Sequence, residues 1–121
     1  MKIRIRGNSV RLRLTKTEVE NLSKKGNHTE EINFPGTVLS YSIKTKENIT
    51  SMEASYIKNT ITIYIPKKDA LEWPTNAKVG FQNTMKTNKE ISLSILVEKD
   101  FVCMDETVED QSDNYPNPKA I

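Results

Sequence analysis

An α+β domain built mainly on antiparallel sheet is the fold this sequence predicts, and three observations carry it. The first fifteen residues, MKIRIRGNSVRLRLT, alternate apolar and cationic side chains on both sides of Gly7-Asn8. Further alternating stretches follow at short intervals, the clearest being Thr60-Ile-Thr-Ile-Tyr-Ile65. Helix signals are confined to two short stretches, about 16–25 and 67–73. About seven strands and two short helices result, in a sheet that is either open or barrel-like.

The opening hairpin follows from the period-two geometry of a strand. Ile3 and Ile5, then Val10, Leu12 and Leu14, share the apolar face, while Lys2, Arg4, Arg6, Arg11 and Arg13 share the cationic one. Gly7-Asn8 supplies the positive φ of a tight hairpin turn. The helix after it has Thr15 as cap and Glu18 three residues on, the capping-box spacing, with Lys24, Lys25 and Gly26 at its end. Val19 and Leu22 give it a narrow apolar edge, as for a helix laid on a sheet.

Residues 27–36 read as loop, with Ile32 and Phe34 opening a strand at most. Thr37–Lys44 alternates again with Leu39, Tyr41 and Ile43 on one side, and a weaker strand holds Met52, Ala54 and Tyr56 before a turn at Lys58-Asn59. In Thr60–Ile65 the isoleucines 61, 63 and 65 face inward, and Pro66 ends the strand. The second helix closes at Trp73-Pro74. Two more strands are expected, over Ala77–Gln82 with Val79 and Phe81 inward, and over Ile91–Val97 with Ile91, Leu93, Ile95 and Val97 on one face.

With 121 residues the chain makes one domain with a real core, taken here as 1–104, followed by an acidic tail, 105–121, either disordered or packed on the domain. The formal net charge of +2 is small, but its distribution is uneven. Residues 1–26 hold eight Lys/Arg against two acids, and residues 97–121 hold seven acids against two Lys. Such ends are able to neutralise one another. No membrane-length apolar run and no signal-peptide segment is visible, so a cytoplasmic protein without membrane contact is expected.

Arg4, Arg6, Arg11 and Arg13 are the candidate site: planar forks suited to phosphate or carboxylate, brought together on neighbouring strands. The competing reading pairs them with acids of the chain itself, Asp105–Asp113 foremost, and it is the favoured one. Other chemistry is poorly supplied. The acids Asp100, Asp105, Glu106, Glu109, Asp110 and Asp113 lack the spacing of a calcium loop. Cys103 and His28 are the only soft ligands, too few for a structural zinc site, and no metal or cofactor is expected. Cys103 reads as a small buried hydrophobe, and His28, in a loop, leaves no triad. Four glycines do not make a phosphate-cradling loop. Trp73 and Tyr64 have the ring faces to stack on a base, but Trp73 beside Pro74 reads as a packing anchor, and aromatics are not interleaved with the basic hairpin as in single-strand binders.

Two sets of residues resemble known families. The opening Lys2–Val19, with Ile95-Leu-Val-Glu-Lys-Asp-Phe-Val-Cys103 and Glu109-Asp-Gln-Ser-Asp-Asn-Tyr-Pro-Asn-Pro118, resembles a family of small uncharacterised bacterial proteins of the Bacteroidetes type, a domain of unknown function. That resemblance implies that the C-terminal motif belongs to the domain. Residues 3–20, around Arg6-Gly-Asn-Ser-Val-Arg-Leu-Arg-Leu-Thr-Lys16, resemble the swapped hairpin of AbrB-type and MazE-type regulators, with Thr15-Lys16 where those have Pro-Lys. This implies dimeric DNA binding through Arg4, Arg6, Arg11 and Arg13. Triphosphate-tunnel enzymes also line strands with Arg and Lys, but Lys2–Arg6 lacks the glutamates their metal needs.

The expected function is therefore a small non-enzymatic binding domain. Its cationic hairpin is screened by the acidic C-terminus or engages an anionic ligand or acidic protein. The alternatives are a dimeric DNA-binding regulator and, less favoured, an enzyme on phosphorylated substrates using Glu98 or Asp100.

Overall fold

The structure, a computed structural model, describes residues 1–102 and 110–117. The elements are β1 (Lys2–Ile5), β2 (Ser9–Leu14), α1 (Lys16–Lys25), β3 (Asn27–Phe34), β4 (Thr37–Lys46), β5 (Glu53–Ile57), β6 (Thr60–Pro66), α2 (Lys67–Glu72), a 3-10 turn (Trp73–Thr75), β7 (Gly80–Lys86) and β8 (Ser92–Lys99). The fold is α+β and mostly antiparallel, in two four-stranded sheets rather than one, and neither closes into a barrel.

Each sheet is a pair of hairpins. The strand orders are β1-β2-β8-β7 and β3-β4-β6-β5, with β2 parallel to β8 and β4 parallel to β6. Every link within a hairpin is antiparallel, as the short connections predict. The turn chemistry explains why. Gly7 at φ 54 turns the chain between the first two strands, where Arg6 N–H donates to Ser9 C=O at 3.2 Å. Pro35-Gly36, with Gly36 at φ 80, suits a type II turn, and Lys58-Asn59 at φ 51 and 59 makes a I′ turn.

The sheets lie face to face around one core, which holds Leu12, Leu14, Ile95 and Val97 from one and Ile43, Ile63 and Ile65 from the other. Both edges of the sandwich are tied across. Tyr41 Oη donates to Met1 C=O at 2.8 Å on one side, and Asn83 Nδ2 donates to Met52 C=O at 2.7 Å on the other. α1 and α2 close the end where β2, β4 and β6 finish. Val19, Leu22, Ala70 and Trp73 are fully buried there, and the Trp73 ring meets Phe81 edge-on at 5.1 Å. At the opposite end the sheets part around an apolar cleft of about 400 Å³ lined by Val10, Leu39, Ile61 and Leu93.

Several expectations need correction. Residues 27–34 form a full strand, not a loop, because Asn27–Phe34 pairs residue for residue with Thr37–Lys44 across the Pro35-Gly36 turn. The strand expected over 77–82 begins at Gly80 and runs to Lys86, leaving Val79 exposed. Gly80 sets that start: a Cβ there would lie 2.3 Å from Val97 C=O, so only glycine lets β7 approach β8 so closely. Ile5 and Ile91 are exposed rather than inward, since one ends an edge strand and the other precedes β8. Of the tail, residues 105–109 and 118–121 lie outside the described residues, as does Cys103. Residues 110–117 lie against the body: Tyr115 N–H donates to Asp100 C=O at 2.8 Å, and the Tyr115 and Phe101 rings are 5.8 Å apart.

Candidate functional site

β1 and β2 place Lys2, Arg4, Arg11 and Arg13 on the outer face of the first sheet, with Arg6 at the turn. Their register sets like charges opposite one another: Lys2 faces Arg13, and Arg4 faces Arg11. Directly opposed like charges destabilise a strand pair by roughly 0.2–1 kcal/mol each. One acid relieves this. Glu98, facing Arg13 from β8, takes the Arg11 Nε–H in a close ion pair and the Arg13 Nε–H at 3.3 Å.

The predicted arginines thus lie together on the hairpin, and among the described residues the acid that meets two of them, Arg11 and Arg13, is Glu98. Glu98 belongs to β8, and the described acids of the tail go elsewhere: Asp113 sits on the start of α1, and Asp110 bonds the Ser112 N–H at 2.9 Å. The parallel pairing of β2 with β8 brings Glu98 beside the arginines, and that pairing has no signature in local sequence. Asp105, Glu106 and Glu109 lie outside the described residues. Among the described residues neither Arg4 nor Arg6 has an acidic partner. Both open onto a shallow groove of about 310 Å³, shared with Ser9, Arg11, Gln82 and Ser94. Lys2, on the same face, reaches Asp100 at 3.1 Å. Glu98 and Asp100, the acid–base candidates, are both held in ion pairs.

A second cluster, which sequence reasoning missed, lies at the corner where Met1, α1 and β3 meet. The capping box of α1 is complete: Glu18 N–H donates to Thr15 Oγ1, and Glu18 Oε1 accepts the Thr15 N–H at 2.9 Å. That leaves Glu18 Oε2 turned to the corner, where it meets the Met1 ammonium and lies 3.2 Å from His28 Nε2. Glu30 Oε2 lies 2.7 Å from the same ammonium and 2.9 Å from His28 Nε2. Burial works to raise the Glu30 carboxyl, but the hydrogen bonds and charges of Met1 and His28 outweigh it and hold the group down at about 2. Burial, then the charges of Glu30 and Glu18, push the neighbouring Tyr41 phenol up. Glu18, His28 and Glu30 bring one donor atom each within 4.8 Å of one another. The available signal was His28-x-Glu30, two residues apart and so on one face of a strand, but it is readable only once 27–34 is known to be extended.

A model of a family of unknown function, DUF7009, matches residues 1–119. The chain belongs to that family. The match takes in the C-terminal motif, in keeping with the place of Tyr115 against the body. No curated protein and no solved structure matches the chain. Among the described residues no helix is long and apolar enough to cross a membrane.

Proposed function

We propose that this member of the DUF7009 family is a small non-enzymatic binding domain that takes a multiply charged anion on the outer face of its first sheet. The observation that carries the reading is the like-charge register of the hairpin. Arg4 faces Arg11 across the pair, Glu98 answers Arg11 and Arg13, and Arg4 and Arg6 stand beside an open groove with no acidic partner among the described residues. An anion with several charged oxygens, spaced along the strands, relieves that repulsion and matches the guanidinium forks. A dimeric DNA-binding regulator, the alternative the hairpin suggests, has less support, because β2 already has β1 on one edge and β8 on the other.

Heparin, a polyanion without base sequence, is the probe. The intact chain should bind it with an affinity that falls steeply with salt, and Arg4→Ala/Arg6→Ala should lower both affinity and salt dependence. Retention on duplex DNA by a species of dimer mass, with little on heparin, would point to the regulator instead. Absence of salt-dependent binding to either would remove the proposal.

A further inference from the structure

The corner of Glu18, His28 and Glu30 lies off the basic face and has no part in the function proposed above. We propose that it is a binding site for a divalent transition-metal ion of the zinc class, held by Glu18 Oε2, His28 Nε2 and Glu30 Oε2.

Geometry is the first support. His28 Nε2 stands 3.2 Å from Glu18 Oε2 and 2.9 Å from Glu30 Oε2. Donors around tetrahedral zinc, with bonds of about 2.0–2.1 Å, are separated by roughly 3.3–3.4 Å. The His28 nitrogen therefore stands within a few tenths of an ångström of that separation from both oxygens, and all three donor atoms lie within 4.8 Å of one another. They do not come from one flexible loop. Glu18 is fixed through its other oxygen, which accepts the Thr15 N–H, and His28 and Glu30 leave the same face of β3. A first-turn glutamate and a strand pair make a more rigid frame than surface acids do.

The chemistry selects the ion. Imidazole nitrogen with carboxylate oxygen suits zinc and its neighbours in the first transition row, whereas calcium takes six to eight oxygens and magnesium keeps most of its water. Two carboxylates also balance the charge of a divalent ion. The structure already seats a cation there: the Met1 ammonium contacts both Glu18 Oε2 and Glu30 Oε2. The chain beside these carboxylates is held in place, because the Tyr41 hydroxyl donates to the Met1 carbonyl at 2.8 Å. The side chains are 13 % (Glu18), 21 % (His28) and 35 % (Glu30) exposed, sheltered enough to hold an ion and open enough to receive it.

The test is titration of the full chain with zinc chloride, followed by calorimetry and by the melting temperature. One ion per chain should bind and raise the melting temperature. His28→Gln and Glu30→Gln should each weaken binding by about tenfold or more, while Arg4→Ala, on the basic face, should leave it unchanged. Cobalt(II) in the unaltered chain gives a readout that needs no variant: the intense visible absorption of a four-coordinate site is expected. No zinc binding, binding undiminished in both corner variants, or an octahedral cobalt spectrum overturns the proposal, and none of these bears on heparin binding by the arginines.

Discussion

The outer face of the first sheet and the corner at Met1 are fed by the same hairpin, yet their charges are handled in opposite ways. On the face, among the described residues, Arg11 and Arg13 meet Glu98 and Lys2 meets Asp100, two pairs of like charge oppose each other, and Arg4 and Arg6 border an open groove. In the corner, one ammonium and one imidazole lie against two carboxylates in a half-buried pocket. The corner's charges are satisfied within the fold, so breaking them costs stability. The face carries, among the described residues, guanidinium groups without an acidic partner, so changing them should alter the binding proposed for it. That contrast makes the two regions separable by mutation.

The largest effect on folding is expected at Glu18. Glu18→Ala removes the capping-box acceptor and one carboxylate of the corner, leaving the Met1 ammonium with Glu30 alone. A loss of about 2–4 kcal/mol follows from the cap and the broken, largely buried pair together, measured by urea denaturation. Glu98→Gln is the counterpart on the face. It breaks pairs whose arginines are 28 % and 41 % exposed, so no more than about 1 kcal/mol is expected, while affinity for heparin should rise as Arg11 and Arg13 are freed. Equal losses at the two positions would end the contrast.

Next in size is binding by the face. Arg4→Ala/Arg6→Ala should weaken heparin binding by about tenfold at low salt and reduce the salt slope by about one for each guanidinium removed from the anion. Stability should stay level or rise slightly, because the Arg4–Arg11 repulsion is removed. Calorimetry across a salt series reads both.

How far these regions were legible differs for physical reasons. The face was visible because alternation is a local signal, and both strands of the hairpin carry it from Lys2 to Arg13. The helix was visible in Thr15, Glu18 and Gly26, which form the expected capping box and left-handed stop, Gly26 at φ 81. The corner was hidden because Asn27-His-Thr-Glu-Glu31 has little strand propensity of its own. It is held extended by pairing with Thr37–Lys44, a tertiary effect that overrides local preference. The joining of hairpins into two sheets through parallel contacts was hidden too. Ser9–Leu14 meets Ser94–Lys99 some 85 positions away, and no turn residue marks such a contact.

The corner should also show itself by pH. The Glu30 carboxyl is held at about 2 against an ordinary 4.5, so its contribution is fully present above pH 4.5 and is lost as pH falls toward 2. Acid unfolding of Glu30→Gln should be correspondingly less steep across that window, followed by circular dichroism. Arg4→Ala/Arg6→Ala should leave the steepness unchanged.

The smallest effect is expected at Asp113, and it decides whether the tail takes part in the face. Its carboxylate accepts the Thr17 hydroxyl at 3.1 Å and its C=O accepts the Lys16 N–H at 3.0 Å, so it ties the tail to the positive end of α1. Hydrogen bonding by Thr15, then by Thr17, holds the carboxyl below its ordinary range. Asp113→Ala should cost about 0.5–1 kcal/mol, as the loss of a modest helix cap does. It should leave heparin affinity where it was, because Asp113 faces α1 and not the arginines. If Asp113→Ala raised heparin affinity as far as Glu98→Gln does, the tail would be the screen after all, and the division between a satisfied body and an unsatisfied face would have to be redrawn.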